Sequence, residues 1–393
     1  MSISKVFISE LSDNSSVETL FLVASKSIRE TRNGDPYLCV TLQDRSGTIE
    51  ARGWDDAEKM EARFEVDDFV AIRGRTSSYR GELQITLADL ERVDEDQVEL
   101  SDFLPHSRWS VDTLFDELQR LVRDHVQSDE VRRFLFALFD DELWRKKYLR
   151  APAAVSNHHA YLAGLAEHSL SMARLAITLG RHYDAYYPGL VDTDLLIAGC
   201  IVHDMAKTEE LEYRRSFAYT TEGRLVGHVV RGAEIVGEVA RSMTPALDEH
   251  FTIQLKHLIL SHHGKKEYGA PVTPKSPEAI LLHYLDMIDS RMNMCWNACE
   301  QLIEGDDGGD AWSDYQRNFG SSLYIGGDAA QGWKKDLQIC AGGNGPGIDP
   351  SVFEREIRSQ DATAQPQAER RSNGTKARAE STPNLELFGD EQT

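Results

Sequence analysis

Long apolar runs are missing from this 393-residue chain. Nowhere do about 18 apolar residues follow one another, so no membrane-spanning helix and no membrane partner are expected. Cysteine is scarce too. The five thiols (Cys39, Cys200, Cys295, Cys299 and Cys340) are odd in number and scattered, which suits a reducing compartment rather than a disulfide framework. Cys295 and Cys299 stand one helical turn apart, but two thiols make a poor zinc site and read as packing. The N-terminal MSISKVFISE lacks a basic region followed by an apolar stretch, so no secretory signal is expected and the cytoplasm is the expected location. Positive charge is also short. With 43 Lys and Arg against 65 Asp and Glu, the formal net charge is −22, which argues against coating nucleic acid by bulk electrostatics. A nucleic-acid enzyme remains open, because a local basic groove can act within an acidic molecule and bound divalent cations add charge.

What is present divides along the chain. The length admits two domains and a tail. Between residues 20 and 95, TLFLVASKSI, PYLCVTLQD, GTIEARGW, DFVAIRGRTSS and GELQITLADL are short β-branched and apolar runs. Turn chemistry separates them: Asn33-Gly34-Asp35-Pro36, Asp44-Arg45-Ser46-Gly47 and Tyr79-Arg80-Gly81. Leu38, Val40 and Leu42 alternate with Tyr37, Cys39 and Thr41, giving one core face. Five such strands predict a small all-β barrel of the OB type over residues 12–98. LSDFLPHS then reads as a linker, spanning 99–110. From about 111 the period becomes helical, with Leu114, Leu118, Leu121 and Val122 on one face and Ser128 opening a further helix. An all-α domain is predicted over 111–325. Residues 326–393 turn glycine-rich and then polar, with 355–383 expected to be disordered.

Eleven of the thirteen histidines fall between His158 and His283, about a third of the chain. CIVHDMAK, residues 200–207, places His203 and Asp204 directly after the apolar run Leu195–Val202, where a buried ionisable pair needs compensation. His168 precedes this pair; His228, His262-His263 and Asp286 follow it. Imidazoles and carboxylates are ligands for borderline and harder divalent ions, and one aspartate can bridge two of them. His182, His250 and His257 read as surface histidines.

The ordered set resembles the HD phosphohydrolase superfamily, an all-helical fold that uses His … His-Asp … Asp around metal. Together, the OB domain, DFLP, HHAYLAGLAEHSL, HDMAK, GHVVRG, LILSHHGKKEYGAPVTPKSPEAILLHYLDMIDSRM and SSLY resemble the YhaM family of 3′–5′ exoribonucleases. Ala206 stands where the superfamily often has glycine. The resemblance implies that His168, His203, Asp204 and Asp286 hold one metal ion. Asp204 would bridge to a second, bound by His228, His262 and His263. Manganese or another transition metal suits these nitrogen and oxygen ligands better than magnesium. Lys207 is expected at the scissile phosphate, and His158, His159 and Tyr161 at the terminal nucleotide.

The barrel is expected to grip the strand through Lys26, Arg29, Arg32, Tyr37, Arg52, Arg73, Arg75, Tyr79 and Arg80, with Trp54 half in the core. The implied activity is 3′–5′ exonucleolysis of single-stranded RNA, with single-stranded DNA a further candidate. A nucleotide or cyclic-dinucleotide phosphohydrolase and a non-catalytic nucleic-acid adaptor are the alternatives. In the tail, NLELFGD sets Leu385, Leu387 and Phe388 together, similar to short peptides that dock on bacterial sliding clamps.

Overall fold

The computed structural model describes residues 4–31, 33–79, 82–213, 217–304 and 312–324. Five strands, β1 (Ser16–Glu30), β2 (Pro36–Asp44), β3 (Gly47–Gly53), β4 (Phe69–Tyr79) and β5 (Glu82–Val93), close into a barrel in the order β1-β2-β3-β5-β4. Neighbours are antiparallel except β3 and β5. The expected alternation holds: Leu38, Val40 and Leu42 are buried with Phe21, Val70, Ile72, Ile85 and Leu90. A short helix, α1 (Ala57–Glu61), adds Ala57 and Met60 to this core. The β4–β5 register slips between Arg73 and Gly74, and a Cβ on residue 74 would lie 2.5 Å from the Thr86 carbonyl oxygen. Only glycine permits that approach at the bulge.

The second domain is helical: α2 (Val111–His125), α3 (Asp129–Asp140), α4 (Glu142–Arg150), α5 (Gly164–Tyr186), α6 (Thr193–Val202), α7 (Lys207–Glu210), α8 (Thr221–Val226), α9 (His228–Ser242), α10 (Glu249–Ser261) and α11 (Pro277–Glu304). Side chains cap several of them. Ser110, Ser128, Asp192 and Asp248 accept hydrogen bonds from the backbone N–H of Thr113, Val131, Leu195 and Phe251, each worth about 1 kcal/mol. α2 buries the four residues its period selects. Every residue of α6 from Leu195 to Val202 is buried, as a helix that is apolar on all sides requires. It packs among α5, α10 and α11, so its C-terminal end delivers His203 and Asp204 to the centre of the domain.

The stretch 99–110 between the barrel and the helices is a packed joint and not a loose tether. Phe103 and Leu104 are buried with Leu22 and Phe69 of the barrel and Leu162 of the helical domain. The Phe69 and Phe103 rings lie 4.9 Å apart. Asp102 accepts from the Arg45 N–H through its carbonyl, and Leu162 exchanges backbone hydrogen bonds with Pro105 and Ser107. Lys5, over the rings of Phe21 and Phe103, pairs with the buried Asp44 at 2.8 Å. The glycine-rich segment and tail from 325 onward lie outside the described residues, and with them Leu385, Leu387 and Phe388; so do Arg32 and Arg80.

Phe103→Ala should destabilise the protein by about 3–5 kcal/mol, the usual effect of deleting a buried phenyl ring. Because the ring lies in the cluster shared by both domains, calorimetry should also resolve one unfolding transition into two. A single transition at an unchanged temperature would contradict the joint.

Candidate metal centre

Helix ends supply three of the site's imidazoles. His203 caps the C-terminus of α6, His262 caps that of α10, and His228 opens α9. His168 projects from the first turns of α5 and Asp286 from the middle of α11. Gly264 makes the turn after His262-His263 possible. Its φ of +76° is left-handed, and a Cβ there would lie 2.4 Å from the His283 ring.

Asp204 stands at the centre. Its Oδ1 lies 3.3 Å from His228 Nε2 and 3.5 Å from His262 Nε2, while its Oδ2 lies 3.2 Å from His203 Nε2 and 2.6 Å from Lys207 Nζ. His168 Nε2 approaches Asp286 Oδ1 at 3.4 Å. Yet Nε2 of His168, His203, His228 and His262, together with Asp204 Oδ1 and His263 Nδ1, are buried without a hydrogen-bond partner. Leaving one buried polar atom unpaired costs about 1–3 kcal/mol, so six in one place are a large expense for a purely structural cluster. Divalent cations held there would answer these atoms at once. The ligating atoms of His168, His203 and Asp204 lie within 4.8 Å of one another, as do those of His228, His262 and His263. The donor set fits nitrogen- and oxygen-ligated transition metals.

The opposite ring nitrogens are held. His203 Nδ1 donates to the Cys200 carbonyl at 3.1 Å, and His262 Nδ1 to that of Ile259 at 2.7 Å. His168 Nδ1 lies 2.7 Å from Asp289 Oδ2, and His228 Nδ1 lies 2.9 Å from Glu210. Such partners fix the tautomer that turns Nε2 toward metal. Asp289 and Glu210 were not among the sequence candidates. Asp289 follows Asp286 by three positions on the same helix, so a face argument could have found it. Glu210 has no comparable signal, because the short α7 and the α8 turn bring it to His228.

Charge within the site is strongly coupled. Burial opposes ionisation of Asp204, but His203 and Lys207 outweigh it and hold the carboxyl well below the usual range. Burial would likewise lower His168, yet Asp286 and Asp289 hold it up at about 10. Burial pushes His263 and His159 down to about 3 and His158 to about 4, leaving neutral imidazoles.

Other expected residues fall differently. Lys207 is buried and its ammonium is committed to Asp204, so it is not a free phosphate contact on a helix face. His159 is 4% exposed, too little for base stacking; its ring sits 5.1 Å from that of His168, inside the cluster. His158 is half-buried beside His168 and Asp286. Tyr161 accepts a hydrogen bond from Asn293 Nδ2 at 3.3 Å in the same wall. His182 and His250 are exposed, and His257 lies apart, accepting from the Lys275 N–H. Ala206 is buried.

On the barrel, the residues expected to grip a strand form a narrower group. Tyr37 and Trp54 stack at 4.7 Å, and Trp54 is 45% exposed. The Arg52 guanidinium lies 6.0 Å from the Tyr37 ring and 5.7 Å from that of Tyr79, and exposed Arg29 is opposite Tyr37 across β1 and β2. Lys26 is not part of this face. It pairs with Glu61 and Glu65 and donates to the Phe64 carbonyl, tying down α1. Arg73 is paired with Asp89, and Arg75 donates to the Asn14 carbonyl.

Asp289→Asn and Glu210→Gln should each weaken metal affinity about 10–100-fold, measured by competition with a chromophoric chelator. Asp204→Asn should abolish binding. It also leaves the Lys207 ammonium buried and unpaired, which costs about 3–5 kcal/mol. Adding Lys207→Met should restore stability but not metal. Undiminished metal content in Asp204→Asn would contradict the assignment.

Comparison with known proteins agrees with this division. A family model described as an HD domain matches residues 165–291, and one described as an OB-fold nucleic acid binding domain matches residues 23–93. Proteins named 3′-5′ exoribonuclease YhaM are similar over most of the chain. That of Halalkalibacterium halodurans is 35% identical over 291 residues, covering 74% of this chain and 88% of its own. That of Bacillus subtilis is 35% identical over 293 residues, covering 74% and 90%. That of Oceanobacillus iheyensis is 34% identical over 288 residues, covering 73% and 88%. With an OB barrel, an HD helical domain and this extent of identity, the chain belongs to the YhaM family of 3′-5′ exoribonucleases.

Proposed function

We propose that the protein is a metal-dependent 3′–5′ exoribonuclease of single strands, able to act on single-stranded DNA as well. The observation that carries the reading is the set of buried imidazole Nε2 atoms without partners around one carboxylate. In this reading His168, His203, Asp204 and Asp286 hold one ion, and His228, His262 and His263 hold a second, with Asp204 between them. Manganese or another transition metal is the preferred occupant. Ions held there would supply Lewis acidity toward a phosphodiester and make water nucleophilic at neutral pH.

The chain's own side chains set the geometry. Lys207 fixes Oδ2 of Asp204, which leaves Oδ1 aimed between His228 and His262. Asp289 and Glu210 keep His168 and His228 in one orientation. His158, neutral and half-buried at the edge of the cluster, can donate a hydrogen bond to a phosphoryl oxygen. Hydrolysis adds water across the terminal P–O3′ bond, and the departing 3′ oxygen takes up a proton. A nucleoside 5′-monophosphate leaves, with a strand shorter by one nucleotide.

The barrel holds the strand upstream. Stacking on Tyr37, Trp54 and Tyr79 tolerates any base, and exposed Arg29 supplies local positive charge that the net −22 lacks, while Arg52 is paired with Glu50. Such a platform favours an oligonucleotide over a free nucleotide.

End-labelled single strands of RNA and DNA, incubated with manganese, should shorten stepwise from the 3′ end, and a chelator should stop the reaction. Endonucleolytic fragments, or hydrolysis of free nucleotides alone, would overturn the reading. Tyr37→Ala combined with Trp54→Ala should weaken binding of a long strand by about 1–3 kcal/mol per lost stacking contact and spare turnover of short oligonucleotides. Unchanged affinity would remove the barrel from the substrate path.

A further inference from the structure

The turn that follows the paired histidines has a composition the metal site does not explain. Residues 265–268 read Lys-Lys-Glu-Tyr and form a single turn of 3-10 helix over Lys266–Tyr268. It is pinned from both sides. Gly264 (φ +76°) presses on the His283 ring, and a Cβ on Gly269 (φ +92°) would lie 3.5 Å from His263 Nδ1. His283 Nδ1 donates to the His262 carbonyl at 2.8 Å, so the turn rests directly on the shell of the second ion group. The Lys265 N–H donates to the His263 carbonyl at 2.9 Å, the Ala270 N–H donates to the Lys265 carbonyl at 3.2 Å, and buried Ala270 anchors the exit.

Lys265, Lys266 and Tyr268 are all exposed, the tyrosine at 61%. Lys265 Nζ lies 5.9 Å from the Tyr268 ring centroid, and among the described residues neither lysine forms an ion pair, with Glu267 or with any other carboxylate. Elsewhere near the site cations are engaged: Lys207 by Asp204, and Arg231 by Glu209 and Glu238. An exposed aromatic ring with two uncommitted ammonium groups is the pairing that binds a stacked base and its phosphate. A rigid backbone beside the ligands sets it at a fixed place relative to the reacting bond.

We propose that the Lys265–Tyr268 turn is a nucleotide subsite: Tyr268 stacks on the base at the 3′ end of the strand, and Lys265 and Lys266 hold its phosphate. This rests on the exonuclease reading. It differs from the barrel face in what it senses, namely the end of the strand and not its length.

The test uses the full-length protein and a single-stranded RNA whose 3′-terminal linkage is a non-cleavable methylene phosphonate. The 3′-terminal base is 2-aminopurine, whose fluorescence is quenched by stacking on an aromatic ring. Binding to the wild type and to Tyr268→Phe should quench it. Tyr268→Ala should abolish the quench and weaken binding about tenfold. The same probe placed at an internal position should respond alike in all three. Lys265→Ala together with Lys266→Ala should weaken binding and flatten its salt dependence, as two lost phosphate contacts require.

A quench that survives Tyr268→Ala, or that the wild type never shows, overturns the subsite. A quench in the wild type with no hydrolysis of the unmodified strand leaves the subsite standing and removes the exonuclease reading instead.

Discussion

The arrangement turns on one buried anion. Asp204 is 2% exposed, and water cannot solvate its charge. Three imidazoles and an ammonium surround it, and among the described residues only Lys207 hydrogen-bonds it directly. A carboxylate in such surroundings is stable only with positive charge beside it. One lysine is enough to neutralise it but leaves the imidazole Nε2 atoms without a purpose. Cations held by these rings would give each of those atoms a partner. The helical domain fixes the residues that would hold them: α6 is buried on every side, and α5, α9, α10 and α11 each contribute from an end or a face fixed by packing.

Rigidity comes from the outer contacts as much as from the core. Asp289, Glu210 and the carbonyls of Cys200 and Ile259 each hold a ring nitrogen that faces away from Asp204. A ring so held cannot rotate to recruit an easier partner. The same principle governs the joint between the domains. Phe103 packs against Phe69, and the backbone bridge between residues 105–107 and Leu162 continues that contact into the helical domain. The barrel is therefore seated on the domain that carries the chemistry.

Much of this could be read from the sequence because its signals are local. Strand alternation at Leu38, Val40 and Leu42, the capping Ser128 before α3, and the apolar run of α6 are patterns a short window contains. The site histidines and aspartates stand out because chemistry-bearing residues were crowded into a third of the chain. What the sequence could not show depends on partners distant along it. Lys26 looks like a strand contact until Glu61 and Glu65 are brought beside it, and Arg73 until Asp89 lies across β5. His159 reads as a nucleotide contact, but Gly164 brings the start of α5 against its backbone and packs the ring inside the cluster. DFLP reads as a breaker, since its proline is visible and the surfaces that receive Phe103 and Leu104 are not.

The central proposal is that Asp204 would serve two ions and not one. Electron paramagnetic resonance of the protein loaded with manganese tests it most directly, because two ions sharing a carboxylate couple magnetically. The account predicts two manganese ions per chain and the broadened, multi-line spectrum of an exchange-coupled pair. A single uncoupled ion, or none retained, would contradict it.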